Sequence, residues 1–341
     1  MSDAISTKQL WRQPVLSAEY RHGLVSIIVP THNRADLLPI TIGSVKSQSY
    51  SNWEIVLVDD GSDDGTSELA KSWQLELGEE RFRYVFGNHL GAQRARNTGM
   101  LHSRGEFIQF LDSDDLLHPE KLALQVGALK RDGSVDFSIS SAIWSDRPEV
   151  HPHGPTVASP RLPITVENLR GPLCVTPAPL FRRSSLGCVG RWDEELLFCH
   201  ESNFFGRALA HGLAGIYQAD AIAYARTHPG RLCNGLRYAD TLKSSVVGFG
   251  RVCTVAKEQG RDVHPELWWT ILNDKANAAI MAGNRSEALR DLREAQKYHS
   301  AEFAGHPVRL RLRRILLWCF GVRPYRTWWL RTNPWAQRVG E

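Results

Sequence analysis

"FIQFLDSDD" (Phe107–Asp115) is an apolar run that ends in three carboxylates within four positions, Asp112, Asp114 and Asp115. Carboxylates that close repel one another and raise each other's pKa. A cation, an arginine or water has to compensate them. The apolar part reads as a buried parallel strand. The acidic residues then fall at a strand's carboxyl end, where open α/β sheets bind their ligands.

The flanking sequence repeats this arrangement. "LVSIIV" (24–29), "WEIVLV" (53–58), "FRYVF" (82–86) and "DFSIS" (136–140) are further short apolar runs. Helical patterns separate them: Leu38, Ile42 and Val45 share one face, as do Leu69, Trp73 and Leu77 in the next segment. A third helix carries the small residues Ala92, Ala95 and Gly99, and a fourth carries Leu122, Val126 and Leu129. Strands alternating with helices predict a doubly wound, Rossmann-like α/β sheet flanked by helices. Three strands deliver polar motifs to the same edge: Pro30-Thr31-His32-Asn33-Arg34, Asp59-Asp60-Gly61-Ser62 and the acidic cluster. A divalent cation with oxygen ligands would neutralise such a cluster, and such ions commonly share their shell with substrate phosphates.

Several classes are excluded. No GxGxxG follows the first strand and no GxxxxGK occurs, so neither a dinucleotide-binding domain nor a P-loop enzyme is expected. The net charge of +4 is uneven: from Ala301 onward there are eight Arg against two Glu, a net of about +6. The remainder is slightly acidic, which argues against general nucleic-acid binding. The six Cys are scattered without a CxxC pair and read as reduced, mostly buried thiols. The polar N-terminus through Arg21 reads as no signal peptide, and no apolar run approaches a membrane span. Residues 141–179, rich in Pro and His, read as long loops, with His151 and His153 on the surface. Beyond about Leu236 the chain reads as helical, with two helices around a Gly283-Asn284 turn.

The blocks "VSIIVPTHNRADLL", "IVLVDDGSDDGT", "GAQRARNTGMLHSRGEFIQFLDSDD" and "RWDEEL…HESNFFGRALAHG" resemble those of family 2 glycosyltransferases, in order and spacing, over roughly residues 24–230. The resemblance implies the GT-A fold over 24–235, with a nucleotide-binding half (24–140) and an acceptor half (141–235). An extension (1–23) would precede it and a helical C-terminal region (236–341) would follow. It implies an inverting enzyme that moves a sugar from a nucleotide donor, by family tendency a UDP-sugar, with Mn²⁺ or Mg²⁺. The acceptor would be a saccharide or lipid-linked sugar of cell-surface polysaccharide or glycolipid. By the same resemblance Asp112 and Asp114 form the metal-binding pair, with Asp114 the direct ligand. Pro30, Thr31, Asn33, Arg34, Asp60, Arg96 and Ser113 would hold the donor. Arg226 and His228, in "YARTHPG", would approach the diphosphate or metal.

One position departs from the pattern. The family usually shows Glu-Asp where this chain has Glu201-Ser202, and that Asp is commonly taken as the base. A serine does not act as a base at neutral pH without its own activating partner. Glu201 is the replacement candidate, with Asp193 behind it. The alternative is a catalytically impaired relative that binds nucleotide or glycan without turnover. A sugar-nucleotide pyrophosphorylase is disfavoured, because no Gly-rich basic loop follows the first strand. The tail "VRLRLRRILLWCFGVRPYRTWWLRTNPW" interleaves Arg with Leu and Trp, which suits a membrane interface. The expectation is a cytoplasmic protein, peripheral on the inner face of the membrane if that tail binds lipid.

Overall fold

The computed structural model describes residues 16, 20–145, 156–158, 175–226, 238–262, 271–273, 275–277, 279–280, 284–295 and 297. The chain divides into two compact units, Met1–Glu194 with His211–Thr227, and Glu195–Ala210 with His228–Glu341.

The first unit is built on one mixed sheet. Its strands are β1 (Arg21–Thr31), β2 (Trp53–Asp59), β3 (Phe82–Phe86), β4 (Gly105–Phe110), β5 (Leu116–Leu117), β6 (Phe137–Ser145), β7 (Thr156–Ala158), β8 (Pro179–Arg182) and β9 (Gly215–Arg226). The order is β3-β2-β1-β4-β8-β6-β9-β5, with β7 paired to β6. Strands β3, β2, β1 and β4 are mutually parallel. Strand β8 runs antiparallel to β4 and β6, whereas β9 runs parallel to β6.

Helices α1 (Leu38–Lys46), α2 (Thr66–Leu77), α3 (Ala92–His102) and α4 (Lys121–Arg131) follow the first strands as expected. Leu38, Ile42 and Val45 are fully buried, as are Leu122 and Leu129. Each such side chain contributes about 1.5–3 kcal/mol relative to exposure. Val25, Ile27 and Val29 of β1 join this core together with Trp53, Trp73 and Phe82. On the other face of β1, α3 packs closely through Gly99, where an added Cβ would lie 2.2 Å from Ile28 Cγ2. Bringing Arg96 and Asn97 to the sheet therefore needs a small residue at position 99.

The sheet's topology positions the site. The chain leaves β1 for β2 and β3 on one side and returns to β4 on the other, so the strand order reverses at β1–β4. Pairing of β1 with β4 ends at Ile28–Phe110, while pairing with β2 continues to Thr31–Asp59. Pro30 has no N–H to donate to a ladder, and β1 and β4 part as it is reached. That parting opens the crevice in which such sheets hold ligands.

Several expectations need correction. Strand β1 begins at Arg21 rather than Leu24, because backbone pairing to Gly105 does not need an apolar side chain. Residues 141–145 continue β6 and 156–158 form β7, where loops were expected. Of the cysteines expected to be mostly buried, Cys253 is buried, Cys199 intermediate and Cys188 exposed, while Cys174, Cys233 and Cys319 lie outside the described residues.

In the second unit lie α6 (His200–Ala210), α7 (Tyr238–Glu258) and α8 (Arg285–Ala295); the short α5 (Arg183–Val189) belongs to the first. Asn284 caps α8: its Oδ1 accepts the Glu287 N–H at 3.2 Å while its Nδ2 donates to Glu287 Oε2 at 2.8 Å. Among the described residues no helix is long and apolar enough to cross a membrane. The Arg- and Trp-rich tail lies outside them, as do His151 and His153.

Candidate active site

The loop after β1 and the loop after β2 are laced together. Asn33, at a positive φ of 50°, donates its N–H to Ser62 Oγ at 2.8 Å. Its Oδ1 accepts the Asp63 N–H at 2.9 Å. Asp64 Oδ2 accepts the Ala35 N–H at 2.9 Å. Arg34 contributes its backbone carbonyl to the amides of Leu37 and Leu38 at the start of α1.

The two carboxylates of the second motif are largely committed to this framework. Asp59 is fully buried, and its oxygens accept the Ser62 N–H at 2.9 Å and the Tyr84 hydroxyl at 2.8 Å. Burial, reinforced by the bond to Asp59, pushes the Tyr84 phenol above its ordinary range. Asp60 accepts the N–H groups of Leu90 and Gly91, both at 2.7 Å. It thereby fixes the turn that leads into α3 and places negative charge at that helix's N-terminus. Each Asp60 oxygen keeps a lone pair for a ligand.

The acidic cluster after β4 differs. Asp112, Asp114 and Asp115 each present an oxygen within 4.8 Å of the others. Asp115 is buried and accepts the Arg226 N–H at 3.0 Å, so it ties the end of β9 to the loop. Arg226 Nε donates to the Asp114 carbonyl at 2.6 Å. Ser113 uses its carbonyl to accept the Thr41 hydroxyl at 2.8 Å. Asp112 and Asp114 stay partly exposed. Arg96 Nη2 meets Asp112 Oδ1 at 2.6 Å, so of the three compensators open to sequence reasoning an arginine is present.

Arg96 comes from α3, and the next residue fixes a further segment. Asn97 Nδ2 donates to the Trp192 carbonyl at 2.9 Å and to Glu194 Oε1 at 2.8 Å. Its Oδ1 accepts the Trp192 N–H at 2.8 Å. Trp192 is fully buried, edge-on to Phe110 at 5.0 Å, with the Arg96 guanidinium carbon 4.6 Å from its ring centre. Asp193, next in sequence, is 2% exposed.

Buried polar atoms without a hydrogen-bond partner among the described residues gather on this edge: Thr31 Oγ1, His32 Nδ1, Arg96 Nε and Nη1, and Arg226 Nη2. Such atoms cost free energy unless a ligand or water meets them. The His32 and His89 rings meet there at a tilt of 39°, with centres 4.1 Å apart. Hard carboxylate oxygens suit Mg²⁺ or Mn²⁺, and the unpaired N–H groups beside them suit an anionic companion. The residue set therefore fits a cation-borne nucleotide.

Glu201 lies in the first turn of α6, in the second unit, and its Oε1 is 2.8 Å from His200 Nε2. Ser202 beside it is buried. His228 is outside the described residues. Sequence reasoning missed the roles of Asp59, Tyr84, His32, His89 and Asn97. A cue to Asn97 was its place directly after Arg96 within "GAQRARNTGM".

The family model described as "Glycosyl transferase family 2" matches residues 26–190. A UDP-Glc:alpha-D-GlcNAc-diphosphoundecaprenol beta-1,3-glucosyltransferase of Escherichia coli is 38% identical over 107 residues, 31% of this chain and 41% of that protein. A putative teichuronic acid biosynthesis glycosyltransferase of Bacillus subtilis is 39% identical over 104 residues, 30% and 40% of the two chains. An uncharacterized glycosyltransferase of Rickettsia typhi is 25% identical over 222 residues, 62% of this chain and 66% of its own. The chain spans less than two thirds of the length of these relatives. Among solved structures, S. aureus TarS 1–349 with UDP-GlcNAc superposes with a TM-score of 0.63 at 18% identity, covering 89% of each chain. A Pyrobaculum calidifontis mannosyltransferase with GDP-Man and Mn²⁺ gives 0.54 at 20%, covering 97% and 90%. These two likenesses concern the fold, and the mixed, helix-flanked sheet is the GT-A arrangement.

Proposed function

We propose that this chain, whose residues 26–190 match the model of glycosyl transferase family 2, transfers a sugar, with inversion, from a UDP-sugar to a saccharide or lipid-linked acceptor of cell-surface polysaccharide. The observation that carries this reading is the acidic cluster at the strand-order reversal, with Asp112 and Asp114 partly exposed beside the buried, incompletely paired Arg96. The Escherichia coli relative, whose name specifies a UDP-sugar and a lipid-linked acceptor, supports the substrate classes.

Asp112 and Asp114 would hold Mn²⁺ or Mg²⁺, which supplies electrostatic stabilisation of the departing diphosphate when bound. Thr31, Asn33, Asp60 and Ser113, with the backbone at Pro30 and Arg34, shape the pocket for the nucleoside. Arg226 fixes the acidic loop through two bonds and keeps Nη2 for the donor. An inverting displacement needs a base for the acceptor hydroxyl. Glu201 serves better than Asp193, because its side chain is 20% exposed whereas Asp193 is buried.

A second reading, a relative that binds donor without turnover, draws on Ser202 standing where the family carries its usual base. Release of nucleoside diphosphate from UDP-glucose, UDP-GlcNAc and GDP-mannose, with and without Mn²⁺, separates the two. The enzyme reading expects metal-dependent release, with Glu201→Gln slowing it about 100-fold or more while donor affinity holds. Donor binding without release from any of these sugars would favour the second reading.

A further inference from the structure

Arg96 combines two properties that belong together only if a ligand completes it. Its side chain is 3% exposed, and one nitrogen, Nη2, holds Asp112 Oδ1 at 2.6 Å. The other two nitrogens, Nε and Nη1, are buried without a hydrogen-bond partner among the described residues. A guanidinium stays protonated under all ordinary conditions, so this is a permanent charge with unused donors. The Trp192 ring also lies against it, its centre 4.6 Å from the guanidinium carbon, and offers a π face rather than a hydrogen-bond acceptor.

The same chain shows what a purely structural arginine looks like. Arg104, also buried, places Nε and Nη2 on Glu54 at 2.8 and 2.7 Å, and Nη2 further reaches the Glu80 carbonyl at 2.8 Å. Its Nη1 meets Glu80 Oε2 at 3.4 Å. Every nitrogen of that guanidinium is used. Arg96 is incomplete by comparison, and its incompleteness lies against one of the two carboxylates best placed to hold a cation.

We propose that Arg96 is a resident counter-cation on Asp112 that couples the metal to the nucleotide. In the empty site its positive charge neutralises Asp112 and opposes a divalent ion arriving at the same carboxylate. A nucleoside diphosphate offers acceptor oxygens to the unused N–H groups, draws the guanidinium off Asp112 and so raises the cluster's affinity for the cation. Thermodynamic linkage makes the effect reciprocal, and couplings of this kind run from about 5- to 150-fold. The inference rests on Asp112 and Asp114 being the cation ligands.

The test is a Mn²⁺ titration of the full chain at fixed ionic strength, followed by calorimetry or by the electron paramagnetic resonance of free Mn²⁺. It is run with and without UDP for wild type, Arg96→Gln, Arg96→Lys and Asp114→Asn. Direct coordination of Mn²⁺ by UDP enhances binding in every variant, so the quantity read is the difference in enhancement between chains. Arg96→Gln should bind Mn²⁺ alone about 10-fold tighter than wild type, and the enhancement by UDP should fall by a similar factor. Arg96→Lys keeps a point charge without the fork. It should bind Mn²⁺ alone as wild type does, yet lose the coupling. Equal Mn²⁺ affinity in wild type and Arg96→Gln, or equal UDP enhancement in wild type and Arg96→Lys, would overturn the proposal. Asp114→Asn separates the two layers. If it binds Mn²⁺ as well as wild type does, the cation site itself is misplaced. If it loses Mn²⁺ while Arg96→Gln is unchanged, only the coupling fails.

Discussion

Two buried arginines, each paired with a carboxylate, stand at opposite ends of one sheet's strands, and they do different work. At the amino ends of β2 and β4, Glu54 and Arg104 close on each other, and Ser26 Oγ donates to Glu54 Oε1 at 2.6 Å. At the carboxyl end, Arg96 meets Asp112 through a single nitrogen and leaves two without a hydrogen-bond partner among the described residues. The first pair is complete and holds strands together. The second is open, and it sits where the strand order reverses. Both arginines are buried, so completeness of hydrogen bonding, together with the partly exposed carboxylate, separates a structural ion pair from a binding site here.

The sharpest way to break that contrast is to remove one member of each pair's neighbourhood. Glu54→Ala strands a buried guanidinium and should cost about 3–5 kcal/mol of stability, read by denaturant unfolding, while nucleotide affinity at low temperature is kept. Asp114→Ala should do the reverse: turnover falls about 10²–10³-fold, or 2.7–4 kcal/mol in transition-state stabilisation, with unfolding little changed. If Asp114→Ala unfolded the chain as Glu54→Ala does, the distinction would collapse.

Gly99→Ala probes the scaffold beneath Arg96. The new methyl meets Ile28 at the base of α3, and overpacking of this kind costs about 1–3 kcal/mol. Because α3 carries Arg96, donor affinity should weaken along with stability, unlike in either of the variants above. Titration calorimetry and thermal unfolding on the same preparation would show whether the two losses travel together.

Tyr84→Phe addresses the second acidic motif and has the smallest expected effect, about 1–1.5 kcal/mol. Its pH dependence gives the check. The folded chain holds the Tyr84 proton more tightly than the unfolded chain, whose phenol titrates near pH 10. The stability it contributes is therefore full below pH 10 and is lost as pH rises through the folded value. Wild type minus Tyr84→Phe, followed by unfolding from pH 8 to 11, should shrink above pH 10.

Much of this architecture could be read from the chain. "FRYVF" coincides with β3, and the faces of α1 and α4 are buried as their periodicity requires. The acidic cluster and its strand-end position were legible because carboxylates rarely follow a buried apolar run without reason. Other features were not. Strand β9, "GIYQADAIAYAR", has small residues and a register shift against β6 between Ser140 and Ser141, which blur its alternation. The DD of "VLVDDGS" looks much like the DSDD cluster on paper. Only folding brings Asp59 and Asp60 to Tyr84, Ser62, Leu90 and Gly91, partners that lie 3 to 31 positions away. The Arg96–Asp112 contact likewise spans 16 positions that no periodicity connects.

The central claim, that the open pair marks a site for a cation-borne nucleotide, is tested most directly by thermal unfolding with UDP, GDP and TDP, each with and without Mn²⁺. The account predicts stabilisation by one nucleotide in the presence of metal, about 2.7 kcal/mol at 100 times its Kd, and its absence in Asp114→Ala. No stabilisation by any nucleotide with Mn²⁺, or an equal shift in Asp114→Ala, would contradict it.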